Sequence, residues 1–494
     1  MALALILVLS ILTPLKLITA EPGKSIAINL ASYPLGFDPQ TVLYDSEKIL
    51  LNNLHEGLVV WDQGVLSPGM AAKWIVSADG KTYTFHLKDS YWSNGDQVTA
   101  FDFELSWKRI LASEYVSSSR FLLDVIKNAY SYRVGNLKNT DEIGVKALDK
   151  QVLQVVLEKP CSYFLNLLTF PAFLPVHSKY IKEKDQNYAP GFCSNGPFQI
   201  GEWEPRNHAV LVVNQFYQGE RGNIKEIKVT FLPPNTGVTI YTAGMIDLLE
   251  EPPFSMFGQY GSDLVQASTM GTGFIYLNTR RPPLNNMVFR KALSLAINRD
   301  LLVARTLGYR GIPATGLIPP GIADSKSGTD FRQTGGALLD PADGEKCLEQ
   351  LYTAGYPNED GYPEIDILVV DSVVPLEMTK ILAEMWEINL GLKVKIEAVS
   401  YDQFLELAST GRFYTARQGW TGDYPDPMTF LNLFHSQAAE NFCSYKDPEY
   451  DYWLSVAQER MDTISRYRIY HLLEEKFSTL KGFNLFAARF SALS

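Results

Sequence analysis

Residues 419–427 read GWTGDYPDP and set two carboxylates, Asp423 and Asp426, three positions apart among Trp420, Tyr424 and two prolines. The glycines and prolines exclude a regular helix, so the acids sit on a stiff turn. Four chemistries are open to such a set: an acid/base pair, a metal loop, a plain surface turn, or a clamp for a ligand. Glycosidase carboxylates stand about 5 to 9 Å apart and usually come from different elements, which counts against an acid/base pair inside one loop. Turn formation and ligand binding both remain open on the residues alone.

Other chemistry lacks its local signature. There is no GxSxG nucleophile elbow. GKS at 23–25 lacks the upstream glycine of a phosphate loop, and GTG at 271–273 lacks the third glycine of a dinucleotide fingerprint and reads as a flexible connector. The four cysteines, Cys161, Cys193, Cys347 and Cys443, form no CxxC, and no HExxH or EF-hand pattern occurs, so neither a structural metal nor another cofactor is expected.

The elements around the turn follow from local pattern. WIVSADGKTYTFHL alternates on both sides of Asp79-Gly80 and predicts a hairpin, as does VKALDKQVLQVVL over 145–157. AFDFELSWKRIL predicts a helix starting near Thr99, whose side chain could cap it. In NNMVFRKALSLAINRDLL, Phe289, Ala292, Leu293, Ala296 and Ile297 recur at helical spacing behind a cap at Asn285 or Asn286. The strand IDILVV (365–370), the helix PLEMTKILAEMWEINL stopped by Gly391, and the strand LKVKIEAV (392–399) make a β-α-β unit with parallel strands. A β-rich first half therefore precedes an α/β second half.

A chain of 494 residues exceeds one hydrophobic core and predicts two or three domains. Its first twenty residues carry an apolar run from Ala2 to Leu12, then Pro14 and a small residue at Ala20. That is a secretory signal pattern with cleavage after Ala20, although no cation precedes the run. No later stretch reaches the roughly 20 apolar residues of a membrane helix. With no cysteine near the cleavage site, a lipid-anchored N-terminus is not expected, and the reading is an exported periplasmic protein. Export permits a disulfide, for which Cys161 and Cys193 are the best-placed pair; four buried thiols are the alternative. The net charge of −11 argues against nucleic acid or an anionic membrane as partner.

Four longer segments carry a resemblance: residues 73–111 (KWIVSADGKTYTFHLKDSYWSNGDQVTAFDFELSWKRIL), 194–203 (SNGPFQIGEW), 277–302 (LNTRRPPLNNMVFRKALSLAINRDLL) and 419–434 (GWTGDYPDPMTFLNLF), with FDPQ at 37–40 as a fifth. In this order and spacing they resemble the oligopeptide-binding proteins of bacterial peptide ABC importers. The resemblance implies an α/β periplasmic binding protein of two lobes that close by a hinge. Lobe I would be discontinuous, from 21–55, 177–272 and 476–494 after a signal peptide at 1–20. A β-rich subdomain II (56–176) would be inserted into it, and an α/β lobe III would span 273–475. The residues 271–278 and a segment near 470–480 would be the crossings.

By the same resemblance the protein catalyses nothing, binds an extended peptide between its lobes as a monomer, and delivers it to inner-membrane permease subunits driven by cytoplasmic ATPases. Asp423 matches the aspartate that holds the peptide ammonium. Gly419 and Thr421 would offer backbone groups, Trp420 and Tyr401 apolar walls with Tyr424 near Asp423, and Arg417 a partner for a peptide carboxylate or, alternatively, a lobe-internal salt bridge. Leu43, Asp45 and Tyr276 complete the set. Leu43 and Tyr276 stand where the family often has acids, Pro375 and Ala408 where it can have bases, and Gly271 and Thr421 where it sometimes has a cysteine pair. These departures make a short or unusual peptide, such as a cell-wall muropeptide, credible. Nickel, haem, a sugar oligomer or an opine, and from another class an exported hydrolase, are the alternatives.

Overall fold

The computed structural model describes residues 24–34, 36–42, 45–62, 65–113, 115, 117, 119–181, 192–250, 252, 270–307, 311–326, 328–357, 361–480 and 488–490. The signal segment and Leu43 lie outside them. The chain divides near residue 268 into two compact units. Among the described residues no helix is long and apolar enough to cross a membrane.

In the first unit, β1 (Lys24–Asn29) precedes the β2–β3 hairpin (Val59–Asp62, Val65–Pro68), then β4 (Ala71–Val76), β5 (Thr82–Leu87), β6 (Val145–Ala147) and β7 (Val152–Val156). The chain returns with β8 (Phe198–Glu204), β9 (His208–Val213), β10 (Ile224–Thr230) and the short β11 (Leu248–Leu249). The main sheet has the order β11-β1-β10-β9-β8, with β1 parallel to β10 across some 200 residues of sequence. The intervening strands form their own sheet, β4-β5-β7-β6, so a β-rich segment is inserted into a discontinuous lobe. Its predicted hairpins are present, and Gly80 takes the positive φ of +69° that the first turn requires. β5 and β7 alternate partly exposed and buried side chains because only one face meets the core.

The helix Ala100–Leu111 buries Phe103, Trp107, Ile110 and Leu111. At its start the Asp102 carboxylate reaches back and accepts from the Thr99 N–H at 2.7 Å and hydroxyl at 2.9 Å. This helix binds the FDPQ stretch. The Asp38 carboxylate accepts from Arg109 Nη2 at 2.7 and 2.9 Å and also from the Tyr115 hydroxyl, while Gln40 takes the Arg109 Nε–H at 2.7 Å and donates to Ser106. All of these groups are buried or nearly so, and the guanidinium and carboxylate satisfy each other.

The second unit is built on β12 (Gly271–Leu277), β13 (Gly311–Pro313), β14 (Glu364–Val370), β15 (Lys393–Val399), β16 (Thr415–Thr421) and β17 (Ala488–Phe490), in the order β13-β17-β12-β16-β14-β15. The predicted β-α-β unit is β14, the helix Val373–Leu390 and β15. The two strands are parallel from Glu364↔Lys393 to Val370↔Val399, and Gly391 ends the helix at φ +70°. The stretch read as one helix around 287–302 is two, Met287–Leu295 and Arg299–Thr306, because Asn298 caps a new start by accepting from Leu301 N–H at 2.9 Å. Ile275, Phe289, Leu293, Ile367, Leu382 and Trp386 share the core on one face of the sheet.

Two expectations are corrected here. Gly271–Leu277 is no connector: it is an interior strand, buried at every residue and paired on both sides. Its glycines permit close approach, for a Cβ on the facing Gly419 would stand 3.3 Å from Thr272 O and 3.5 Å from Gly273 Cα. The segment 476–494, expected in lobe I, contributes β17 to the second unit's sheet. β12 and β13 each present an edge, and β17 pairs with both, at Gly273↔Ala488 and from Gly311↔Phe490 to Pro313↔Ala488.

Candidate functional site

β14, β15 and β16 run parallel, so their carboxyl ends emerge on one side of the second unit's sheet. Open α/β sheets bind ligands at such ends. Tyr401, two residues beyond β15, and the turn that follows Thr421 both belong to this side.

The ladder between β12 and β16 fixes which backbone groups are committed. Gly422 N–H donates to Met270 O at 2.7 Å and Asn278 N–H to Tyr414 O at 3.0 Å, and these residues are direct partners in the register. Ala416, Gln418 and Trp420 therefore exchange hydrogen bonds with β12, while Arg417, Gly419 and Thr421 turn their N–H and C=O groups to the opposite edge. There β14 pairs with Thr415 and Ala416, and because Ala416 is turned to β12 the parallel bridge to Leu368 is carried by Thr415 C=O and Arg417 N–H. No described strand continues along Gly419–Thr421 on that side. The outcome is a short open edge, able to take an extended chain by main-chain hydrogen bonds.

The strand's alternation separates residues that the sequence reading grouped together. Trp420 shares a face with Phe274 and Tyr276; Arg417, Gly419 and Thr421 share the other with Gly271, Gly273 and Ile275. Tyr276 is 3% exposed and packs against Phe274, Phe434 and Phe442 with ring centroids 5.0 to 6.3 Å apart. Burial drives its hydroxyl pKa well up. Arg417 lies in a cavity with Gly273, Ile275, Leu302, Met378 and Leu382. Its Nη2 stands 3.5 Å from Met378 Sδ, and desolvation lowers its pKa to about 10, which leaves it cationic at neutral pH. Tyr401 is 55% exposed at the first turn of the helix Tyr401–Ser409. Asp45 opens the first unit's helix Asp45–Leu54.

The two carboxylates of the turn part company. Asp423 is partly exposed just past the open edge, and its backbone N–H donates to Thr429 Oγ1 at 3.3 Å. The same hydroxyl accepts from Trp420 Nε1 at 3.1 Å. Asp426 is fully buried, with Oδ1 accepting from Met428 N–H at 3.0 Å and Oδ2 lying 3.6 Å from Arg466 Nη2. Burial raises its pKa against the pull of Arg466. Tyr424 is buried beside it in sequence. Thr429 and Arg466 were not singled out by sequence reasoning; Thr429 lies inside the recognised motif, but nothing in its spacing marks it.

Among the described residues no group of three or more His, Cys, Asp or Glu side chains could hold a metal ion. All four cysteines are buried; Cys347 Sγ donates to Gly344 O at 3.1 Å and Cys443 Sγ to Asn441 Oδ1 at 3.2 Å.

A discontinuous lobe with a β-rich insertion, a second α/β lobe, and a strand edge open at the carboxyl ends of parallel strands define the two-lobed solute-binding class. Within that class, the chain belongs to the bacterial extracellular solute-binding proteins, family 5, whose profile (described as "Middle") matches residues 65–442. It is 30% identical over 465 residues to the dipeptide-binding protein DppE of Bacillus subtilis, covering 92% of this chain and 84% of that one. The structure of the Escherichia coli murein tripeptide-binding protein MppA superposes with a TM-score of 0.78 at 25% identity, covering 96% of this chain and 94% of the other. Haemophilus influenzae OppA in complex with the peptide RPPGFSPFR gives 0.74 at 27% identity, covering 95% and 94%.

Proposed function

We propose that this protein binds short peptides and delivers them to the permease of an ABC importer. The peptide adds as a strand along Arg417–Thr421, its ammonium meets Asp423, and its carboxylate can meet the cationic Arg417. The observation that carries this reading is the open edge that ends beside a partly exposed carboxylate. Backbone pairing accepts any side chain, while a desolvated ammonium needs a counter-charge. Four strand steps separate Arg417 from Thr421, about 13 Å, which suits a peptide of about three or four residues. A cell-wall muropeptide falls within this class. Leu43 and Asp45 enter the reading through the family resemblance, as do export by residues 1–20, a periplasmic location, a monomeric state and the absence of catalysis.

Native mass spectrometry of protein purified without refolding, followed by identification of the released ligand, tests the reading. An amine-bearing peptide is the expected cargo. Release of nickel, haem, an opine or a sugar, or no thermal shift with a library of di- to pentapeptides, would overturn it.

A further inference from the structure

The turn bearing Asp423 is held from behind by buried polar groups. Thr429, 4% exposed, accepts from both Asp423 N–H and the Trp420 indole, so one hydroxyl fixes the carboxylate's backbone and the neighbouring ring together. The turn lies directly on this side chain: a Cβ on Gly422 would stand 3.0 Å from Thr429 Cγ2. Thr429 is itself placed by Asp426, whose carbonyl accepts the Thr429 N–H at 3.2 Å and whose carboxylate takes the Met428 N–H. Asp426 in turn faces Arg466 on the helix Thr463–Glu475, where the guanidinium lies 5.2 Å from the centre of the Tyr467 ring and 5.9 Å from that of Tyr470.

We propose that Thr429 is a positioning residue for ligand recognition, locked by the Asp426–Arg466 pair, and that it sets the orientation in which Asp423 receives a ligand ammonium. The proposal rests on the peptide reading above and goes one step past it: discrimination between a charged and a capped amine depends on a hydroxyl that never meets the ligand. Valine in place of Thr429 keeps the shape and removes the acceptor shared by Asp423 and Trp420. Serine keeps the acceptor.

The test is the ratio of Kd for an N-acetylated tripeptide to Kd for the same tripeptide with a free amine, measured by calorimetry on the full mature protein. Wild type is expected to give a ratio of about ten or more, T429V to bring it down at least fivefold, and T429S to restore it. Loss of stability alone would lower Tm and leave the ratio where it was. D426N is expected to lower the ratio in the same direction, and it carries the test by itself if T429V does not fold. An unchanged ratio in folded T429V or folded D426N, or failure of T429S to restore it, overturns the proposal. A wild-type ratio near one overturns the Asp423 reading itself, before any variant is made.

Discussion

Two buried aspartate–arginine pairs serve the two units differently. In the first unit Asp38 receives both of its Arg109 contacts within 2.9 Å and adds the Tyr115 hydroxyl, while Gln40 fills the remaining guanidinium face. In the second, Asp426 Oδ2 and Arg466 Nη2 stand 3.6 Å apart, beyond hydrogen-bond distance. The first pair bolts a loop to a helix. The second sits behind the turn that carries Asp423, with electrostatic attraction but without interlocked geometry. Charge pairs of equal burial thus differ in geometry, and the looser one lies behind the turn proposed to receive the ligand.

The largest break in this comparison is Arg109→Met, which strands Asp38 in the interior. It should cost about 3–5 kcal/mol of first-unit stability in urea denaturation, whereas Arg466→Met should cost less than half as much in the second. Equal losses would erase the distinction. His55 sharpens it through pH. Burial lowers this imidazole from 6.5 to about 4, and it lies close enough to feel Asp38. Between those values the unfolded chain binds a proton that the folded one refuses, so stability falls on acidification, by roughly 3 kcal/mol at pH 4. His55→Gln should abolish that loss.

Asp423→Asn addresses the ligand side of the second region. Peptide should bind at least about tenfold more weakly, a loss of 1.4 kcal/mol or more, with the melting curve unmoved. The smallest effect belongs to Asp426, whose folded pKa is raised above the ordinary value. Here the folded state holds its proton longer than the unfolded chain, so this residue contributes stability at low pH that is lost as pH rises from about 4 through its folded pKa. Asp426→Asn should remove a slope of at most about 1.4 kcal/mol per pH unit, opposite in sign to that of His55.

The sequence was most legible where local pattern and burial agree. Asp79-Gly80 marked its hairpin, Thr99 and Asn286 their helix starts, and the run from Ile365 to Val399 its β-α-β unit. Gly271–Leu277 misled because a strand buried on both faces has no alternation and its glycines resemble a linker. β17 could not be found locally, since it pairs with strands more than 170 residues earlier. At the site, composition pointed to GWTGDYPDP, but the parting of Asp423 from Asp426 depends on Arg466, forty positions downstream. The face carrying Arg417 follows from register, which no motif contains.

The open edge of β16 has one further consequence. Unpaired strand edges are the surfaces on which proteins stick to each other, and a long one would invite other chains in a crowded compartment to zip onto it. Among the described residues, Gly419 and Thr421 turn their backbone outward here, between the end of the β14 pairing and the Pro-rich turn. An edge of that length suits a fragment better than a sheet: brevity guards against aggregation, and on the proposed reading it still leaves backbone for a short chain.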